Sequence, residues 1–323
     1  MQRVARQPEA RAEARRFPEK TKETRWLAGD GWPIRQVDWP APATPRGHLL
    51  FLPGRGDFLE KYLETLAHWS HEGWAVTALD WRGQALSGRL GTDSLTGHAD
   101  DFAMWVDDLA TFWAEWSARG PGPHVLVAHS MGGHLALRTV AEGRVRPDAL
   151  VLSTPMLGFV RHGIPPLLSS WFAEAMCAIG DPRRPAWGSG EKPGQPPADR
   201  MPLLTHDAQR YSDEAWWREQ RPGLGMGPPS WGWLRAALAS MRGLDRRAML
   251  SQVTVPVFIA ATDADRLVDF GAIARAAGWL PNAELLRFGA EAAHELLREA
   301  DPVRDRVIAA IDGFLDRVAP AAH

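Results

Sequence analysis

The chain has 323 residues, 45% of them hydrophobic and 24% charged, with a formal net charge of −2. That length holds about two domains, or one large α/β unit with an insertion, and the composition argues against a disordered or fibrous chain. Near-neutral charge with no basic stripe among aromatics argues against a nucleic-acid partner, and the single cysteine, Cys177, excludes an internal disulfide or a thiolate zinc site within the chain.

The first 25 residues carry eight Lys or Arg against four Glu and lack the apolar core of a signal peptide. Residues 1–24 read as a basic, flexible tail, with attraction to anionic lipid as the lesser alternative. No run of eighteen apolar residues follows. The expectation is a cytoplasmic protein with at most peripheral contact at the inner face of the membrane.

"ETRWLAGDGWPIRQVDW" predicts two short strands joined at Asp30-Gly31, a strong hairpin signal. "HLLFLPG", "WAVTALD", "HVLVAHS" and "ALVLSTP" then read as buried strands separated by helix-length segments. One such segment, Ala99 to Arg119, puts Phe102, Trp105, Val106, Leu109, Phe112, Trp113 and Trp116 on one face. The rhythm breaks after Pro155. From Met156 to Leu244 no strand is predicted, and Pro and Gly accumulate in "GDPRRPAWGSGEKPGQPPADRMP". "VPVFIAAT", "AELLRFG" and an amphipathic helix from Val303 to Val318 resume it. Alternating strands and helices predict an α/β fold with a mostly parallel sheet, interrupted by an α-rich cap.

Within "HVLVAHSMGGHLALR" a serine stands where a buried strand meets a helix. This is the arrangement of a nucleophile elbow, a strained turn that needs small residues two before and two after the serine. Ala128 and Gly132 meet that need around Ser130. A serine hydroxyl is hardly ionised near neutral pH and requires a base, itself oriented by an acid. Such groups gather beyond the carboxyl ends of the strands in open α/β sheets. Asp263 and Asp265 follow one predicted strand and His294 another, so the order Ser130, Asp265, His294 is that of the α/β-hydrolase triad. The backbone N–H of Met131, at the positive end of the elbow helix, and that of Arg55, in the glycine-rich "PGRGDF", are candidate oxyanion donors.

"LLFLPGRGDFLEKY", "ALDWRGQALSG", "HVLVAHSMGG", "TDADRLVD" and "AAHELL" together resemble the α/β-hydrolases of the bacterial lysophospholipase and monoacylglycerol lipase group, which shares its core with serine aminopeptidase-like hydrolases. The likeness runs from about Arg25 to Val318 and extends to "GPPSWGWLRAALASM" in the cap. It implies an α/β-hydrolase core at 25–155 and 245–323 and a helical cap at 156–244. It also implies Ser130 as nucleophile, His294 as base, Asp265 rather than Asp263 as its partner, and Arg55 and Met131 as oxyanion donors. Two departures stand out: Pro53-Gly54 and Gln84-Ala85 occupy places where the group often has His-Gly. They bear on the oxyanion loop and on selectivity, and leave the triad untouched.

In the cap, Ile164, Leu167, Leu168, Trp171, Phe172, Ala175, Met176 and Ile179 recur at helical spacing. Such a face suits packing on the core, an acyl pocket or a membrane interface. Ser230 reads as the N-cap of a helix that sets Trp231 and Trp233 over the cleft mouth. The preceding "GLGMGPPS" is not a phosphate loop, because two prolines remove backbone donors and no Lys-Ser/Thr follows. Most of the sixteen tryptophans are expected in the core.

The expected activity is hydrolysis of a carboxylic ester through an acyl-enzyme, without metal or cofactor. A single-chain lipid ester, lysophospholipid or monoacylglycerol, is the expected substrate. A small-ester or aminopeptidase-type hydrolase and a silent ligand-binding hydrolase fold are the alternatives.

Overall fold

The computed structural model describes residues 15–160, 166–187 and 200–321. Residues 1–14 of the basic tail, Ile164 and the side chain of Leu167 in the apolar stripe, and residues 188–199 of the Pro- and Gly-rich stretch lie outside that description.

Eight strands form one sheet in the order β1-β2-β4-β3-β5-β6-β7-β8. β1 (Lys22–Leu27) and β2 (Pro33–Asp38) are the hairpin across Asp30-Gly31, and β2 also runs antiparallel to β4 (Trp74–Leu79). Every other pairing is parallel, through β3 (Gly47–Leu52), β5 (His124–His129), β6 (Ala149–Ser153), β7 (Val257–Thr262) and β8 (Ala283–Phe288).

The central strands are continuous apolar runs because both sheet faces are covered, and alternate residues serve opposite layers. Leu50, Leu52, Leu126, Ala128, Leu150 and Ile259 join the core under helix α2 (Ala103–Ser117) and elbow helix α3 (Ser130–Ala141). Leu49, Phe51, Val125, Val127, Val151 and Phe258 join the other, with helix α1 (Leu63–His71) and the C-terminal helix α8 (Asp301–Val318). The predicted stripe from Phe102 to Trp116 is buried throughout. The outer strands differ: β1 exposes Lys22, Glu23 and Arg25, and β8 exposes Glu284 and Arg287.

Among the described residues no strand lies between β6 and β7. That span holds α4 (Pro166–Ala178), a short helical turn at Met201–Leu204, α5 (Ala208–Gln220) and α6 (Trp231–Leu244); α7 (Phe270–Ala277) follows β7. Ser230 caps α6 by accepting the Trp233 N–H at 3.0 Å, as its sequence position predicts. Tryptophans such as Trp69, Trp74, Trp105 and Trp116 are buried, whereas Trp171 is 71% exposed. Leu168, Phe172 and Ile179 are exposed as well, so the apolar stripe of α4 is not spent on packing the cap to the core.

Candidate active site

β5 gives way to α3 at Ser130, whose φ of +52° is left-handed and therefore strained for a serine. Steric necessity fixes the residues around it. A Cβ at Gly132 would lie 2.4 Å from the Pro53 carbonyl oxygen and 2.8 Å from that of Leu52, contacts that no side chain tolerates. Gly133 faces Pro155, where a Cβ would come within 3.0 Å.

Ser130 Oγ lies 2.9 Å from His294 Nε2, and His294 Nδ1 lies 2.7 Å from Asp265 Oδ2. The other Asp265 oxygen accepts the N–H groups of Leu267 and Val268 at 2.7 and 3.0 Å, fixing the carboxylate in the loop after β7. His294 is held from behind by Thr154, whose hydroxyl donates to the His294 carbonyl at 2.7 Å. Asp263 points elsewhere and pairs with Arg287 on the surface. Burial alone would lower the basicity of the His294 imidazole. The charge and hydrogen bond of Asp265 outweigh burial and hold His294 above its ordinary pKa. Asp265 itself is pushed up by burial, but the imidazole and the two amides keep it below the usual carboxylate range.

Met131 sits in the first turn of α3, where an amide has no partner within the helix and meets the positive end of its dipole. The other candidate donor lies in the loop after β3. A Cβ on Gly54 would stand 3.1 Å from Ser130 Cβ, so this loop runs directly alongside the serine. The amides flanking Arg55 are anchored, Gly54 N–H on Asp57 Oδ2 at 3.2 Å and Gly56 N–H on Gln84 Oε1 at 2.7 Å. Gln84, one of the departures from the common pattern, therefore shapes the loop. The Arg55 side chain spans to the cap, donating to Gly227 O at 2.8 Å and lying over the Trp233 ring at 5.1 Å.

These groups open into a cleft of about 800 Å³ whose apolar wall includes Met156, Phe159, Met226, Trp233, Leu234 and Val268. Its polar end carries Asp57, Lys61, His129 and Glu295. The His129 ring lies 4.9 Å from that of His294; burial, then the neighbouring His294 charge, pulls it down to about 4, so it is neutral at physiological pH.

Trp171, Phe172 and Trp231 line a second cavity of about 790 Å³ between α4, α6 and α7. Trp231 and Trp233 are two residues apart on one helix and so project in nearly opposite directions. Only Trp233 reaches the cleft, which corrects the expectation that both overhang its mouth. Phe159 and Leu234 line both cavities.

Sequence reasoning passed over Asp57, Lys61 and His129, and marked Gln84 only as a departure from the family pattern. The signal for the first two was an acid and a base four residues apart in "GDFLEK", read only for its glycines.

A mostly parallel sheet with a serine at a strand-to-helix elbow, and an acid and a histidine beyond later strands, defines the α/β-hydrolase class. The chain belongs to the family described as Serine aminopeptidase, S33, which matches residues 43–301. Lysophospholipase L2 of Escherichia coli is 30% identical over 312 residues, 93% of this chain and 89% of the relative. The probable lysophospholipase L2 of Haemophilus influenzae is 26% identical over 270 residues, 83% of each chain. A soluble variant of monoglyceride lipase from Saccharomyces cerevisiae, solved with a substrate analog, shares the fold with a TM-score of 0.71 at 19% identity, covering 94% of this chain and 99% of that one.

Proposed function

We propose that the chain is a serine carboxylester hydrolase working through an acyl-enzyme, with single-chain lipid esters, lysophospholipid or monoacylglycerol, as substrates. The observation that carries this reading is the hydrogen-bonded series from Ser130 through His294 to Asp265, opening into a largely apolar cleft. Asp265 holds the Nδ1–H tautomer, leaving Nε2 to accept the serine proton as Oγ attacks the ester carbonyl. The amides of Met131 and Arg55 then stabilise the oxyanion, each worth roughly 3 kcal/mol. His294 returns the proton to the departing alcohol, and a water activated by the same imidazole releases the acid. The names of the relatives support a lipid ester, as does a second apolar cavity that shares Phe159 and Leu234 with the cleft wall and has the size and lining to suit an acyl chain. An aminopeptidase-type activity has less support, because the cleft carboxylates Asp57 and Glu295 are already engaged by Lys61.

A fluorophosphonate probe is expected to label the wild type and not Ser130→Ala, and turnover of glycerol- and phosphocholine-headed esters is expected to rise with acyl length. Labelling that persists in the variant removes Ser130 from the mechanism. A preference for acetyl over long-chain esters removes the lipid assignment.

A further inference from the structure

The polar end of the cleft holds a set of buried charges with Lys61 at its centre, and the Arg200 charge also acts on one of them, Glu214. Lys61 Nζ lies 2.8 Å from Asp57 Oδ1, 3.2 Å from Glu214 Oε2 and 2.5 Å from Glu295 Oε1. The three carboxylates come from three places: Asp57 from the loop beside Ser130, Glu214 from cap helix α5, and Glu295 from the position next to His294. The second Asp57 oxygen takes the Gly54 N–H at 3.2 Å and the Tyr62 hydroxyl at 2.6 Å, so whatever fixes Asp57 fixes the start of the candidate oxyanion loop. Arg218 pairs with Glu214, and Arg298 pairs with Glu295. Three cations thus face three anions, all with side chains no more than 5% exposed.

We propose that Lys61 is a positioning residue for the ester hydrolysis put forward above: it seats the oxyanion loop through Asp57, ties that loop to the cap through Glu214, and balances the carboxylates nearest His294. The inference rests on that functional reading. Burial works against the ammonium, and Asp57, Glu214 and Glu295 outweigh it, so Lys61 stays charged. The groups facing His294 are Asp265, Glu295, Asp57 and His129, and of these the carboxylates raise its pKa. Lys61 and Arg298 offset Glu295 from the far side. Losing the lysine leaves one uncompensated negative charge near the imidazole. Losing Glu295 does the opposite.

The test uses the full chain, p-nitrophenyl butyrate as probe substrate and kcat, KM and kcat/KM profiles across pH. Lys61→Met is expected to lower kcat about a hundredfold, the scale of one lost oxyanion donor. KM should change less than about threefold, since Lys61 is not asked to bind substrate. Its acidic limb should shift to higher pH, and Lys61→Arg should recover most of kcat. Glu295→Gln, which leaves Lys61 in place, should shift the acidic limb to lower pH, and it decides the matter if Lys61→Met does not fold. Limbs that stay put in either folded variant overturn the proposal, as does a kcat within about threefold of wild type in Lys61→Met. Fluorophosphonate labelling of Ser130 in the same samples separates this failure from failure of the ester-hydrolase reading, which would abolish labelling in the wild type.

Discussion

Gly132 sets the tightest steric limit beside Ser130. With the Pro53 and Leu52 carbonyls 2.4 and 2.8 Å from where a Cβ would stand, even alanine must push β3 and the candidate oxyanion loop away from the serine. Gly132→Ala is therefore expected to cut kcat at least about a hundredfold, because displacements near an ångström cost that much in an aligned site. Titration of folded enzyme with a fluorophosphonate checks it, and a variant labelled at the wild-type rate would show that the elbow relaxes. At this scale the sequence was informative where backbone chemistry is local. The small residues at 128 and 132 and the residues just past strand ends were legible because strand termini and elbow sterics are short-range. Asp57, Lys61, Glu214 and Glu295 were not, since each looks like an ordinary surface charge until a chain separation of up to 234 residues closes. Choosing Asp265 over Asp263 needed the family pattern, as adjacent loop carboxylates differ only in which partner, His294 or Arg287, the fold brings near.

Helix α6 shows how an element carries two duties. Ser230 caps it and also lies 2.8 Å from His98 Nδ1, while its N–H reaches Gly97 O at 2.8 Å, so one serine joins cap to core. Ser230→Ala is expected to destabilise the protein by about 1–2 kcal/mol, the cost of a lost N-cap. Calorimetry should register this as a melting temperature lower by roughly 3 °C. An unchanged transition would mean that a water or the backbone replaces the hydroxyl. The capping role was readable because serine before an amphipathic run is a local signal. The destination of each aromatic was not. Periodicity puts Trp171 and Phe172 on an apolar face of α4, but whether that face meets the core, the catalytic cleft or a separate cavity depends on how α4 lies across α6, which is tertiary information.

For the whole molecule, stability toward acid depends on histidines kept neutral by burial. His134 lies fully buried, 2.6 Å from Ser240 Oγ, and burial, then the Arg138 charge, pulls it down to about 3; His129 is held at about 4. An unfolded chain takes up these protons near pH 6.5 and the folded chain does not, so stability falls as pH drops from 6.5 toward those values. His294 acts in the other sense: its raised pKa gives stability that is present below 6.5 and lost as pH climbs through the folded value. His134→Gln, which keeps a donor for Ser240, is expected to flatten the decline by up to about 1.4 kcal/mol per pH unit. Urea unfolding at pH 7 and pH 5 measures this, and parallel slopes in both proteins would refute it. At this scale the mostly parallel sheet and, among the described residues, the strand-free stretch between its β6 and β7 were foreseeable, because alternating apolar runs and their interruption survive in one dimension, whereas the order of strands in the sheet is set by tertiary pairing. The polar lattice joining cap to core leaves no periodic trace. The charged outermost strands carry one more implication. A free strand from another molecule that tried to lengthen the sheet at β1 or β8 would have to dehydrate Lys22, Glu23 and Arg25, or Glu284 and Arg287, for a few main-chain bonds. That cost disfavours edge-to-edge growth at either rim, even though Leu27 and Leu285 are exposed there.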